Sequence, residues 1–363
     1  MAFRLAEASM GGAAKISIAA LIGVLALAFA AGRIPAVQDR LFERALEKAF
    51  SPRAAALWKN DGLSVFFCGT GSPLPSAKRA QTCTAVFAGG KYFLIDAGTG
   101  SAENLQAAGI PGEALAAIFL THLHSDHIGD IGEVDLASWV AGRAGPLPVF
   151  GPAGTGRIVN GLNEEYALDH EYRTAHHGKG VAEPRAAGLI AQTFNAAGNT
   201  LVYERDGLKV TAFPVKHDPA TPAVGYRFDY AGRSVVISGD TAYSQSLIAA
   251  AQGADLLVHE AQANHMVARL REAAAEAGNA RMAKIFSDIP SYHTSPEEAA
   301  RAANEAGVDW LMLTHLTPAP DNAIARRIFM RGVSKIRKKH VRIAEDRTAI
   351  MLPAGGGFEF ERY

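Results

Sequence analysis

The chain has almost no net charge and very little cysteine. Thirty-six basic residues are matched by 36 acidic ones, so the formal net charge is zero and the 363-residue chain as a whole exerts no pull on a polyanion. A nucleic-acid role would have to rest on a local patch. There is no internal repeat and no low-complexity tract, which excludes solenoid and linker-like architectures. Cys68 and Cys83 are the only cysteines, far from any C-x-x-C spacing, so a thiolate-built metal cluster is excluded. They read as two small buried residues on early strands; a disulfide is the alternative if the domain is exported, because their segments read as neighbouring strands. What remains is globular in composition, 48% hydrophobic and 20% charged, and long enough for one large α/β domain or two small ones.

The N-terminus departs from this pattern. After Arg4 and Lys15, the stretch from Ile16 to Gly32 is apolar and uncharged and contains Ala28-Phe29-Ala30-Ala31. A cationic start, an apolar core and an A-x-A ending fit a secretory signal peptide. An uncleaved anchor is the competing reading, since roughly 17 to 20 apolar residues can span a bilayer. Arg33, Arg40, Arg44 and Lys48 follow the stretch and leave its orientation open. The protein is therefore expected to be exported to the periplasm or tethered through residues 16–32, with residues 1–35 outside the fold. Residues 36–60 are expected to form an amphipathic connector helix, with Val37, Leu41, Ala45 and Phe50 near one face, able to lie on a membrane surface or on the domain.

The domain itself is expected over residues 61–363. Strand-like runs (LSVFFC, TAVFAGG, KYFLI, AAIFL, LPVFG, LKVTAFPV, AVGYRFDY, SVVISGD, DLLVHEA, WLMLTH, VRIAE, TAIML, FEFER) alternate with helical segments near 101–109, 155–168, 245–252 and 295–307, which points to a layered α/β domain. Directly after AAIFL comes Thr121-His122-Leu123-His124-Ser125-Asp126-His127. In extended backbone His122 and His124 share a face and can grip one ion, while the following turn swings Asp126 and His127 towards a second. Imidazole mixed with carboxylate suits borderline metals such as zinc. One loop cannot complete two coordination shells. Further candidates stand at the ends of strand-like runs: His217, Asp240 in SGDT, the pair His259-Glu260, and His315.

This ordered set, H-x-H-x-D-H followed by a later histidine, the aspartate of SGDT and the histidine of LTH, is similar to the metallo-β-lactamase superfamily. GTGSPLP, LIDAG, Ala223-Val224-Gly225-Tyr226-Arg227, His259-Glu260-Ala261 and Tyr292-His293-Thr294 resemble its branch of ribonuclease Z and zinc-dependent arylsulfatases, from about Leu63 to the C-terminal strands. The resemblance implies an αββα sandwich, two packed mixed β-sheets with helices on the outer faces. It implies two divalent ions, zinc foremost with manganese or iron as alternatives, one held by His122, His124 and His217, the other by Asp126, His127 and His315, with Asp240 bridging. Asp96 and His259 would brace the ligands. Glu260 and His293 would assist the leaving group, and with Asp126 they make up the expected catalytic set. No cysteine follows position 83, which sets the chain apart from the true β-lactamases with a late cysteine ligand.

The mechanism implied is attack by a metal-bridging hydroxide, formed because metal-bound water can reach a pKa of about 7, on a phosphodiester or sulfate ester of modest size. A ribonuclease Z-like endonuclease acting on tRNA precursors is the alternative, a lactone or carboxylic ester hydrolase another. Gly225-Tyr226-Arg227 reaches Ser238-Gly239-Asp240 too quickly for the long RNA-gripping arm of ribonuclease Z. That brevity and the neutral charge disfavour nucleic acid, although the basic cluster Arg326, Arg327, Arg331, Lys335, Arg337, Lys338 and Lys339 keeps it in view. The partner expected is instead a small anionic ester, with Arg173, in the segment 169–177, reaching over the pocket to meet it; a solvated loop is the other reading of that segment. A homodimer is compatible with the sequence. The non-enzymatic alternative is a membrane-tethered binding protein stabilised by its metals, disfavoured because structural zinc sites normally have every coordination position filled by protein.

Overall fold

The computed structural model describes Phe29, residues 31–49 and residues 54–363. Most of the apolar stretch 16–32, and with it the signal or anchor reading, lies outside the described residues. Among those described, no helix is long and apolar enough to cross a membrane. Two units are distinguished, Met1–Pro52 and Arg53–Tyr363. In the first, Pro35–Ala49 is a helix that leaves Leu41 and Phe42 exposed. Residues 50–53 of the connector expected over 36–60 lie outside the described residues. A second short helix, Ala55–Lys59, belongs to the larger unit, where Leu57 is buried and Trp58 meets Phe87 edge-on at 4.9 Å.

The larger unit is built on two sheets. The first is formed by β1 (Leu63–Gly69), β2 (Cys83–Ala88), β3 (Lys91–Ile95), β4 (Leu115–Phe119), β5 (Leu147–Gly151), β6 (Leu189–Thr193), β14 (Thr348–Leu352) and β15 (Glu359–Arg362), in the order β15-β14-β1-β2-β3-β4-β5-β6. The second holds β7 (Thr200–Arg205), β8 (Leu208–Pro214), β9 (Val224–Tyr230), β10 (Arg233–Ile237), β11 (Leu256–Gln262), β12 (Trp310–Thr317) and β13 (Val341–Ile343), in the order β13-β12-β11-β10-β9-β8-β7. Val65, Phe67, Val86, Phe119, Val210, Phe228, Val258 and Ile350 form one buried cluster between the sheets. A second cluster joins the outer face of the first sheet to helices 101–107 and 131–140, and a third joins the outer face of the second sheet to helices 245–250 and 296–305. Central strands such as β1, β2 and β11 are buried at every position because both of their faces are covered. The architecture is the expected αββα sandwich.

Local chemistry sets the helix ends. Ser295 accepts from the N–H of Glu298 while the Glu298 carboxylate accepts from the Ser295 N–H, a reciprocal cap that starts the helix Pro296–Glu305. Helix Thr155–His177 runs well past residue 168 and absorbs the segment read as a loop; nothing interrupts it until Gly178, at a φ of 75°. Strands β6 and β7, absent from the sequence reading, lie at the edges of their sheets, where several positions are exposed and the hydrophobic signal is thin. Between β11 and Tyr292, two helices, Asn264–Glu276 and Ala280–Asp288, pack chiefly on each other.

The strands also decide where chemistry can collect. β3 and β4 are parallel, and β10, β11 and β12 are parallel, while β8 shares their direction through two antiparallel steps. Their C-terminal ends therefore meet along one edge of the sandwich. Cys68 and Cys83 are joined by a disulfide between β1 and β2, so the less favoured of the two cysteine readings is the one the structure adopts. Replacing both cysteines with alanine is expected to lower the unfolding free energy by about 3 kcal/mol, the chain-entropy value for a loop of this size. Denaturant titration with and without reductant tests this: reduced wild type should approach the variant, and a wild-type midpoint insensitive to reductant contradicts it.

Candidate metal centre

Three turns at the sandwich edge bring the histidine run to face the second sheet. Asp96 directly follows β3, at a φ of 59°, and its carboxylate accepts from the Thr121 N–H at 2.8 Å, from the Thr121 hydroxyl at 2.8 Å and from His127 Nδ1 at 2.7 Å. The next turn is glycine by necessity, because a Cβ at Gly98 would lie 2.1 Å from the Asp126 carbonyl. With Nδ1 of His127 turned to Asp96, its Nε2 is buried and faces Asp240 Oδ2 at 3.3 Å. Asp96 thus hydrogen-bonds one of the histidines that the family resemblance implies as ligands.

His315 arrives differently. Along β11 and β12 the register pairs Glu260 with Thr314 and Ala261 with Leu316, so His315 is the extra residue of a β-bulge, with a φ of 46°. Such a bulge turns a side chain out of the ladder's alternation. Here it places Nε2 3.2 Å from both Asp126 Oδ2 and Asp240 Oδ2. Asp240 follows the turn at Gly239, whose φ is 60° and where a Cβ would strike the Val224 carbonyl at 2.7 Å.

Two donor sets result. His122, His124 and His217 form one, with His122 Nε2 2.9 Å and His217 Nε2 3.4 Å from His124 Nδ1. Asp126, His127 and His315 form the other. Asp240 Oδ2 lies between them, at 3.9 Å from His122 and His217 and 3.2 to 3.3 Å from His315 and His127. Nitrogens bound about 2.0–2.1 Å from one tetrahedral ion stand roughly 3.3 Å apart, so these spacings suit cations rather than hydrogen bonds between imidazoles. All seven residues expected as ligands are brought together. His124 is the exposed member and marks the open side.

Electrostatics agree with that donor chemistry. Burial pushes the imidazoles of His122 and His217 below their ordinary pKa, and the partial desolvation of His124 lowers it too, which leaves them neutral and able to coordinate. Burial also presses on His127, but the Asp240 and Asp96 carboxylates outweigh it and hold that imidazole's pKa well above the usual value. Asp240 answers in kind: burial raises it, and the surrounding His315, His127 and His122 bring it well below the carboxylate range.

Beside this cluster stands a second arrangement. Glu260 Oε1 accepts from His293 Nδ1 at 2.9 Å and from the backbone N–H groups of Thr241 and Thr294, each at 3.1 Å. Burial disfavours the charged His293 imidazole, and Glu260, helped by Asp240, more than reverses this, raising its pKa to about 9. His293 also falls within ligand distance of His217 and Asp240.

Two sequence-derived residues fall elsewhere. His259 is buried with Nδ1 bonded to the Glu260 carbonyl at 2.7 Å, and no contact joins it to a ligand-type imidazole. Its side chain points away from its neighbour's because adjacent strand residues alternate faces. Arg173 lies on helix Thr155–His177 and pairs with Asp169 one turn back, at 2.6 Å. The same helix that replaced the expected loop leaves it there. Sequence reading also passed over Thr121, whose hydroxyl ties Asp96 to the region of His122, and the Tyr292 carbonyl, which holds His217 Nδ1 at 3.1 Å. Their only signal is adjacency to the motifs, since backbone atoms leave no trace in residue type.

Comparison with known proteins agrees with this geometry. A family profile described as a beta-lactamase superfamily domain matches residues 91–316. Proteins named ribonuclease Z from Mycobacterium bovis and from Mycolicibacterium paratuberculosis are each 38% identical over 260 residues, 71% of this chain and 87% of theirs. The chain is also similar to the solved structure of the metallo-beta-lactamase fold protein YhfI from Bacillus subtilis, with a TM-score of 0.57 and 22% identity over 83% of this chain and 100% of that one. Human tRNase Z, short form, gives 0.57 and 21% over 80% and 99%. At such identities the structural likeness speaks to the fold alone.

Asp240→Ala is expected to strip bound metal, read by elemental analysis of purified protein; full retention contradicts a shared carboxylate. In wild type, metal affinity should fall as pH drops, because the elevated pKa of metal-free His127 makes a proton the competing ligand. Titrating a chelator against the loaded protein across pH checks the sign.

Proposed function

Because the chain belongs to the metallo-β-lactamase superfamily, in the branch of ribonuclease Z, we propose that it is a binuclear metal-dependent hydrolase of phosphodiester bonds, with RNA as the substrate class its relatives favour. The observation that carries this reading is Asp240, one carboxylate oxygen set between two donor triads beside a histidine held by a buried glutamate. The seven side chains would hold two ions with Asp240 common to both, and the exposed position of His124 leaves that cluster reachable from solvent. Divalent cations bound there, zinc foremost, would supply an activated water and polarise the ester oxygens.

The chain's own residues do the rest. Asp96 fixes the tautomer of His127, and the Tyr292 carbonyl fixes that of His217, so both present Nε2 inward. Glu260 holds His293 Nδ1–H, which leaves Nε2–H to donate to a departing oxygen. An elevated imidazole pKa keeps that proton in place at neutral pH. His293 so placed serves any ester with a poor leaving group, RNA included.

The ranking of substrates differs from that drawn from sequence. Nucleic acid was disfavoured there because of neutral charge and a short connection, and relatives named ribonuclease Z support the opposite weighting. Net charge averages over the whole surface and says little about one groove. The connection is indeed only Ala231-Gly232 between β9 and β10, so RNA would be held without an arm at that position.

Purified protein should hydrolyse bis-p-nitrophenyl phosphate and cleave a precursor tRNA. Turnover of p-nitrophenyl sulfate or a lactone with no phosphodiester cleaved overturns the proposal. His293→Ala should keep its metal and slow turnover by roughly 10²–10⁴, the usual range for a general acid, most of all with poor leaving groups. Loss of metal in that variant would instead make residue 293 a ligand.

A further inference from the structure

We infer that Tyr292 is the specificity-determining wall of the leaving-group subsite, taking an aromatic ring, a nucleobase or an aryl group, on the departing side of the ester. This rests on the phosphodiesterase reading and on His293 as the proton donor. Tyr292 precedes that donor in sequence, and its ring lies against both sides of the site: edge-on to His217 with centroids 5.2 Å apart, and tilted over His293 at 5.0 Å. His293 in turn stacks on His315 at 5.5 Å, so its ring is packed between Tyr292 and a ligand-type histidine.

The position follows from the chemistry. A leaving oxygen that receives a proton from His293 must lie within hydrogen-bond reach of that imidazole. Its substituent cannot extend into the cluster of imidazoles and carboxylates, so it extends past His293, where the tyrosine ring stands. Tyr292 is only partly buried, which leaves ring surface for a ligand. An aromatic face there favours a flat π-system over an alkyl chain, because offset or edge-to-face ring pairs gain over and above area burial. Base stacking on protein aromatics is tolerant of sequence for the same reason.

The side chain can be tested apart from the fold, since the bond from Tyr292 to His217 is made by its main-chain carbonyl and survives substitution. Metal-loaded wild type, Tyr292→Ala and Tyr292→Phe are compared on two diesters, methyl p-nitrophenyl phosphate and methyl trifluoroethyl phosphate. Comparing each variant with wild type on each substrate cancels intrinsic leaving-group reactivity. Tyr292→Ala should lose about tenfold in kcat/KM on the aryl diester, chiefly through KM, and less than twofold on the alkyl one. Tyr292→Phe should match wild type on both. Equal losses on the two substrates with metal content intact would make Tyr292 a support for His217 and overturn the inference; so would a phenylalanine variant as impaired as alanine, which would assign the effect to the hydroxyl. If wild type cleaves neither diester nor any other phosphodiester, the function proposed above fails. If it cleaves both without dependence on residue 292, only the present inference does.

Discussion

One buried carboxylate oxygen holds the site's charge pattern together. Oδ2 of Asp240 sits within 3.9 Å of four imidazoles supplied by the loop after β4, the loop after β8 and strand β12. Neutral imidazoles whose lone pairs converge repel one another, and a buried carboxylate left alone would be costly. Together they make a buried cluster of imidazoles around one carboxylate, a donor set that favours a cation. That explains why the pKa directions split: the first triad is pushed toward neutrality by burial, while His127, gripped by Asp96 as well, is driven the other way.

The sandwich makes this arrangement cheap to build. Strand directions place the ends of β3, β4, β8, β10, β11 and β12 along one edge, and the clusters on either side of each sheet hold those strands rigid. Only short turns then need special backbone geometry. Gly98 and Gly239 permit close approaches that any Cβ would block, and the left-handed conformations of Asp96 and His315 are local strain borne by a rigid frame.

Much of this was legible in residue order. The run from His122 to His127 announces metal chemistry by density alone, and His217, Asp240, Glu260 and His315 each close a strand-like run, so their convergence follows from strand direction. His293 needed the family resemblance, because nothing in Tyr-His-Thr marks a proton donor. Other features left weaker traces. The bulge that aims His315 depends on pairing register between two distant strands, and the disulfide on which segments become neighbours. β6 and β7 are half-solvated edges, so alternation faded there. The length of helix Thr155–His177 was legible after the fact: no glycine or proline interrupts residues 162–177, although the segment 169–177 was read as reaching over the pocket or as a solvated loop.

The paired helices between β11 and Tyr292 separate Glu260 from His293 in sequence. Glu260 and His293 lie on opposite sides of that excursion, yet Glu260 Oε1 also clasps the Thr294 amide, so the two ends of the insertion are stitched shut at its base. A loop pinned at its neck can lengthen, shorten or be exchanged without disturbing what the neck holds. The fold therefore carries an outgrowth at the rim of the candidate metal centre, whose length can vary without moving the contact between Glu260 and His293.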